Sequence, residues 1–178
     1  INPANLTVTA NDDTKVYNGL GYSGGNGVTY AGFVNGETND VLGGTLGYSG
    51  TSQGATNIGS YPITPGGLTS SNYAIAFVSG TLTVNPADLT VTADAQSKSY
   101  GAADPALTYQ ITSGSLAGGD SLSGALTRTA GETFGSYPIT QGTLTAGPNY
   151  NLAYIGANLS INPANLTVTA NDDTKVYN

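Results

Sequence analysis

Cysteine and histidine are both absent from this chain of 178 residues. Without cysteine there are no disulfides and no thiolate metal sites, and the usual clue to redox compartment is silent. Without histidine as well, the Ser-His-Asp and Cys-His nucleophile systems and the common zinc sites are excluded together. Charge is scarce too: 8% of residues are charged, against roughly 25% in an average soluble domain. Eleven acids face only Lys15, Lys98, Arg128 and Lys175, a net charge of −7, so no basic stripe is available to neutralise phosphates. Nucleic acid is therefore not an expected partner. No apolar run approaches the roughly 20 residues that span a bilayer, so membrane insertion of this segment is not expected either. The chain opens on Ile1-Asn2-Pro3 rather than on a basic and apolar leader, so an export signal, if there is one, is expected outside this stretch.

Glycine, threonine, serine, asparagine and tyrosine fill the space that charge leaves. Disordered chains combine low hydrophobicity with high net charge and few β-branched or aromatic residues. Here Val, Ile, Thr and Tyr are plentiful, a palette of folded, extracellular, β-rich modules.

Repetition organises the chain. INPANLTVTANDDTKVYN at residues 1–18 recurs letter for letter at residues 161–178, and a diverged copy, VNPADLTVTADAQSKSY, begins at Val84. The later halves match as well: GSYPIT at residues 59–64 and 135–140, and NYAIAFVSGTLTV at residues 72–84 against NYNLAYIGANLSI at residues 149–161. The spacing divides the chain into repeats at residues 1–83 and 84–160, with residues 161–178 as the opening strands of a third. A period near 80 is far above the 20 to 45 residues of stacked solenoids, which points to separate modules.

Within each repeat the apolar period is two. Leu6, Val8 and Ala10 alternate with Thr7 and Thr9, and Tyr73, Ile75 and Phe77 alternate with Ala74 and Ala76, as half-buried strands do. Asn11-Asp12-Asp13 reads as an Asx-rich hairpin turn, and no long stretch carries helical spacing. The expectation is an all-β chain of small antiparallel modules with six or seven short strands each. An immunoglobulin-like sandwich is favoured, with a β-grasp-like module carrying one short helix near residues 114–122 as the alternative. At the junction, strand-like Thr81 to Val84 runs through Asn85, Pro86, Ala87 and Asp88 directly into Leu89 to Ala93. Pro86 fixes its own φ and biases Asn85 toward an extended form, so a stiff crossing is expected.

Several clusters then become recognisable together. Lys98-Ser99-Tyr100-Gly101, Asp104 to Tyr109, Gly118-Gly119-Asp120, Gly135-Ser136-Tyr137 and Asn149-Tyr150 give the second repeat a pattern that resembles the MBG domain of YGX type. The first repeat, with Lys15 to Gly19, Tyr22 to Gly25, Phe33 to Glu37 and Gly59 to Tyr61, resembles the sister YDG type, with Asn18 where that name leads one to expect Asp. The resemblance implies tandem repeats of a large bacterial surface or secreted protein similar to filamentous haemagglutinin, in an adhesin or biofilm setting. It names no receptor.

Chemistry is sparse. Paired acids for glycoside hydrolysis, such as Glu37 with Asp40 or Asp120 with Glu132, lie in Gly-rich turns, and no enzymatic activity is expected. Asp12 and Asp13, with Asp88 and Asp94 near the junction, are the candidate oxygen ligands for Ca²⁺; against this, the second repeat reads Asp94-Ala95-Gln96 and loses one acid where six to eight oxygens are needed. No other cofactor is expected. Lys15 with Tyr17 and Lys98 with Tyr100 form a recurrent Lys-x-Tyr pair. Each lysine is either half of an internal Lys-to-Asn isopeptide crosslink or an edge-strand guard. The twelve tyrosines offer flat faces for glycan, although matched pairs such as Tyr73 and Tyr150 point to the shared fold. Asn5-Leu6-Thr7, Asn158-Leu159-Ser160 and Asn165-Leu166-Thr167 satisfy the N-glycosylation rule. Expected partners are neighbouring repeats of the same chain and, beyond them, host or matrix glycan or another copy of the chain, at a bacterial cell surface or in secreted form.

Overall fold

The structure, a computed structural model, describes residues 2–178. Among the described residues fourteen β-strands and one short 3-10 turn, Asn39–Val41, are formed. The first repeat carries β1 (Ala4–Ala10), β2 (Asp13–Val16), β3 (Val28–Ala31), β4 (Gly43–Ser49), β5 (Gly59–Thr69), β6 (Tyr73–Val78) and β7 (Gly80–Asn85). The second carries β8 (Ala87–Ala93), β9 (Gln96–Ser99), β10 (Tyr109–Ser113), β11 (Thr127–Arg128), β12 (Gly135–Thr140), β13 (Tyr150–Ile155) and β14 (Ala157–Asn162). The β-grasp alternative falls away, because residues 114–122 form bends and turns with no helix.

Each repeat is built from two sheets, as a sandwich requires. The order β3-β1-β6 beside β2-β7-β5-β4 recurs as β10-β8-β13 beside β9-β14-β12-β11, strand for strand. Parallel pairs are mixed with antiparallel ones: β1 runs parallel to β6 and β2 parallel to β7, while β5 is antiparallel to β7. By compactness the chain falls into two units, Ile1–Thr90 with Ser113–Leu122 and Thr145–Ala153, and Val91–Thr112 with Ser123–Leu144 and Tyr154–Asn178.

The period-two alternation places the core. Leu6, Val8 and Ala10 of β1 are buried while Thr7 and Thr9 are half-buried, and Leu89, Val91 and Ala93 of β8 repeat the pattern. In the first unit one core cluster joins Leu6, Val8 and Tyr73 with Tyr30, Phe33 and Leu68 around them; another joins Ala10, Ile63, Leu82 and Val84 under Tyr22, Tyr48 and Tyr61. Burial fades along β6, so that Tyr73 is buried, Ile75 half-buried and Phe77 exposed, which departs from the uniform inward face expected of that strand.

Asn11-Asp12-Asp13 is not a hairpin. It is a bend that carries the strand from one sheet to the other, since β1 pairs with β3 and β6 whereas β2 pairs with β7. The physical cause lies in contacts distant in sequence: Asn11 donates its side-chain amide to the Asn26 carbonyl at 2.9 Å, and the Asp12 carboxylate accepts the Thr81 amide at 2.7 Å, which fixes the bend against two neighbouring segments. Residues 163–178 form no strand, and Leu166 and Val168 are exposed.

Candidate functional site

Two polar centres stand out, and the tyrosines and lysines singled out in the sequence build both. The first is a cradle that occurs twice in the first unit. In one copy the Val34 amide donates to the Tyr73 hydroxyl at 3.1 Å, and that hydroxyl donates to the Glu37 carboxylate. A tight turn, Glu37 amide to Val34 carbonyl at 3.0 Å, brings the acid back over the ring, and the Ala4 amide donates to the Asn72 carbonyl at 2.9 Å. The second copy repeats every contact: Ala117 amide to Tyr150 hydroxyl at 2.7 Å, Tyr150 hydroxyl to Asp120 at 2.7 Å, Asp120 amide to Ala117 carbonyl at 3.0 Å and Ala87 amide to Asn149 carbonyl at 3.0 Å.

Glycine is needed at one wall of each cradle. Gly32 sits at φ +118° and Gly114 at φ +76°; a Cβ on either would lie 2.3 Å from the Asn5 or Asp88 carbonyl oxygen, so only glycine allows the loop to approach β1 or β8 this closely.

The two cradles differ in what covers them. Tyr17 lies over the second: its hydroxyl donates to Asp120 at 2.8 Å, and its ring meets Tyr150 edge-on, centroids 5.4 Å apart. The Tyr17 amide donates to the Asn85 carbonyl at 2.8 Å, and Asn149 spans to Ile58 and Asn57, accepting from the Ile58 amide at 3.1 Å and donating to the Asn57 side chain at 3.0 Å. With two hydroxyls donating to it, Asp120 is held below the usual carboxylate range. The Tyr17 hydroxyl is pushed up by its bond to Asp120, and that of Tyr150 by burial. A cleft of about 360 Å³ lies at the first cradle, lined by Pro3, Ala4, Val34, Asn35, Asn72 and Tyr73, and one of about 340 Å³ at the second, lined by Tyr17, Ala87, Ala117 and Tyr150 among others.

The second centre lies in the second unit. Lys98 of β9 is buried, and its ammonium reaches Asp104 at 2.6 Å and Glu132 at 2.5 Å. Arg128 of β11 grips the same two acids, bidentate on Asp104 at 2.6 and 3.0 Å and once on Glu132. Its remaining N–H donors go to the Thr129 carbonyl at 3.0 Å and the Gly131 carbonyl at 2.7 Å, so all five are used. The guanidinium also stands 5.6 Å from the centre of the Tyr137 ring. Arg128 and then Lys98 hold the Asp104 carboxyl down to about 2, and the same pair lowers Glu132.

Lys98 was singled out by the sequence as a crosslink candidate, but Asp104, Arg128 and Glu132 were not grouped with it. The signal available was their number: Lys98 and Arg128 are two of only four basic residues in the chain. An amide bond at Lys98 would need a neutral amine and a protonated acid, whereas here the lysine is pushed up by its bonds to Asp104 and Glu132 and the acids are held ionised. Lys15, its counterpart, donates to the Leu20 carbonyl instead. Both lysines lie on edge strands of their sheets, β2 and β9. An inward-pointing charge there is a known guard against edge pairing.

The calcium candidates are spread among other duties. Asp13 accepts the Thr14 amide at 2.8 Å and the Tyr22 hydroxyl at 2.7 Å, Asp12 accepts Thr81, Asp88 accepts the Asn151 amide at 3.0 Å and Asp94 that of Gln110 at 3.4 Å. Among the described residues no three acids converge as a cation cage. Of the acids considered for hydrolysis, Glu37 and Asp120 belong to the cradles and Glu132 to the ion cluster, while Asp40 accepts the Thr38 hydroxyl at 3.2 Å. At the junction Asn85 ends β7 and Ala87 opens β8, with Pro86 alone between them and Asp88 the second residue of the new strand.

Two successive sandwiches with the same strand order and the same tyrosine cradle define a tandem β-repeat protein. The family model for the MBG domain (YGX type) matches twice, at residues 6–83 and 89–160, and the chain belongs to that family. The match is to the YGX type for the first repeat as for the second. No curated protein matches the chain. Tandem MBG repeats are consistent with the repeat region of a surface protein.

Proposed function

We propose that these repeats are extracellular spacer modules of a bacterial surface protein, carrying a distal binding region away from the cell. The observation that carries this reading is the junction. One strand of the first repeat gives way to the first strand of the second across Pro86, with no Gly/Ser linker, and the same Asn-Pro-Ala boundary returns at residues 162–164. A proline at the crossing restricts two residues and favours transmission of force over hinging. The chemistry points the same way: the acids considered for hydrolysis or cation binding are engaged in hydrogen bonds and ion pairs that hold the modules themselves.

Small-angle X-ray scattering on chains of two, three and four repeats tests it. The maximum dimension should grow by a constant increment per repeat, in calcium and in chelator alike; compaction with repeat number would remove the spacer role. The rival reading is a module that itself holds glycan, and the exposed tyrosines keep it open. Saturable binding on a glycan array by the two-repeat chain would favour that rival and count against a pure spacer.

A further inference from the structure

The compact unit does not stop where the sequence repeat stops. Ser113–Leu122 and Thr145–Ala153, two segments of the second repeat, belong to the same unit as β1 to β7. Tyr17, the residue after β2 of the first repeat, is buried in a core cluster with Leu89 and Tyr150, flanked by Leu116, Leu122 and Leu152, all of the second repeat. It joins neither of the first repeat's clusters around Leu6 and Leu82. We propose that the end of the first repeat formed by Tyr17, Gly19, Asn57 and Ile58 is a docking surface for the repeat that follows it in the chain, with Tyr17 as the residue that completes the follower's core.

Three kinds of contact meet at this surface. The apolar one is the Tyr17 ring, set edge-on to Tyr150 with centroids 5.4 Å apart. The charged one is Asp120, 103 residues along the chain from Tyr17, which accepts the Tyr17 hydroxyl at 2.8 Å and the Tyr150 hydroxyl at 2.7 Å. Hydrogen bonds to an ionised acceptor are the stronger kind. The neutral one is Asn149, whose side chain accepts the Ile58 amide at 3.1 Å and donates to the Asn57 side chain at 3.0 Å. The Asn149 carbonyl accepts the Ala87 amide at 3.0 Å, so one residue ties the first repeat to the opening of β8. Shape is matched as well. Gly19 lies against Ala117, and a Cβ on Gly19 would stand 3.0 Å from the Ala117 methyl carbon.

The stability of a tandem array is the sum of what each repeat supplies for itself and what each neighbouring pair supplies at its interface. A side chain spent by the first repeat on the core of the second makes the second depend on the first. This deepens the spacer reading by naming the partner at the joint, and it rests on that reading for its role: Tyr17 braces the crossing at a second point beside Pro86, where a single point of attachment would leave a pivot.

Amide hydrogen exchange in the full chain, followed residue by residue by NMR, tests the docking surface. In Tyr17→Ala the amides of Ile58, bonded to Asn149, and Ala117, bonded to Tyr150, should exchange at least about tenfold faster, the size expected for losing a hydrogen bond to a charged group. The β5–β7 ladder of the first repeat should keep its protection. Unchanged rates at Ile58 and Ala117 overturn the proposal. So does an equal loss of protection along β5 and β7 in a folded variant, which would make Tyr17 a residue of its own repeat. Should Tyr17→Ala not fold, Asn149→Ala decides, because that side chain is polar and half-buried. It should speed exchange at Ala117, and an unchanged Ala117 rate overturns the proposal. Pro86→Ala separates the docking surface from the crossing. It should leave both amides near their wild-type rates; a rise as large as in Tyr17→Ala would assign the joint to the crossing, which overturns the docking surface and leaves the spacer reading intact. Scattering from chains of increasing repeat number reads the spacer role independently of these rates.

Discussion

Lys15 and Lys98 stand at the same place in two repeats of the same fold, yet they live differently. Lys15 is half-buried and donates to a carbonyl five residues on, a contact its own strand end supplies. Lys98 is buried beneath two acids that it shares with an arginine from another strand. In the first repeat the corresponding polar work falls to Asp13 and Tyr22, whose hydroxyl is pushed up to about 12, mainly by burial and then by its bond to Asp13. The comparison separates what the fold demands from what each repeat has settled for itself. Strand order, alternation and the tyrosine cradle are common to both; the means of closing the edge beside β2 or β9 is not.

The common part should respond equally in both repeats and most strongly. Leu82 of β7 and Leu159 of β14 are counterparts, each fully buried. Truncation to alanine deletes the buried methyls and leaves a cavity, so Leu82→Ala and Leu159→Ala should each cost about 2–5 kcal/mol in denaturant unfolding. A large inequality between them would mean that the repeats are less alike in packing than in topology.

The divergent part should respond unequally. Lys98→Ala leaves Asp104 and Glu132 with Arg128 alone, and a charged group deprived of its partner is costlier than a lost neutral hydrogen bond. Lys15→Ala removes one bond to a carbonyl. The drop in unfolding midpoint should therefore be several times larger for Lys98→Ala than for Lys15→Ala, and equal drops would mean that the ion cluster adds nothing over solvated charges.

Acid sharpens the same contrast. Asp104 is depressed in the folded state, so its contribution to stability is fully present above its unfolded value near 4 and is lost as pH falls toward about 2. Lys98 is raised, so its contribution is present below about 10.5 and is lost only as pH rises past that value. Tyr22, also raised, favours the folded first repeat until pH passes its unfolded value near 10, and that preference is gone as pH rises through about 12. Between pH 4 and pH 2 the melting of wild-type protein should fall more steeply than that of Lys98→Ala with Arg128→Ala combined, because the variant has already lost the partners that lower the acids. Parallel curves would remove the cluster from the acid response.

How much of this was legible beforehand follows from the range of the forces involved. Alternation in Leu6-Thr7-Val8-Thr9-Ala10 is a local signal, and repetition multiplied it, so strands, repeat boundaries and the all-β class could be read directly. The Asn11-Asp12-Asp13 bend was misread as a hairpin because the same Asx chemistry serves both; only the contact to Thr81, far along the chain, distinguishes them. Lys98 was visible as a candidate, but its partners Asp104 and Glu132 come from turns six and thirty-four residues away, where spacing carries no information. The cradle was half visible: matched tyrosines revealed a shared role, while the acid each one binds sits in a loop that reads only as Gly-rich.

The smallest expected effect concerns the cradle itself. Tyr17→Phe keeps the edge-on ring contact with Tyr150 and removes only the hydroxyl that donates to Asp120. The fold should barely notice, since the ring still covers the site. Asp120 loses one of its two phenol donors, so its carboxyl should rise toward the ordinary range, a change that NMR titration of the Asp120 side chain would follow. If Asp120 stays where it is, its ionisation is set by Tyr150 alone, and Tyr17 covers the cradle by packing rather than by hydrogen bonding.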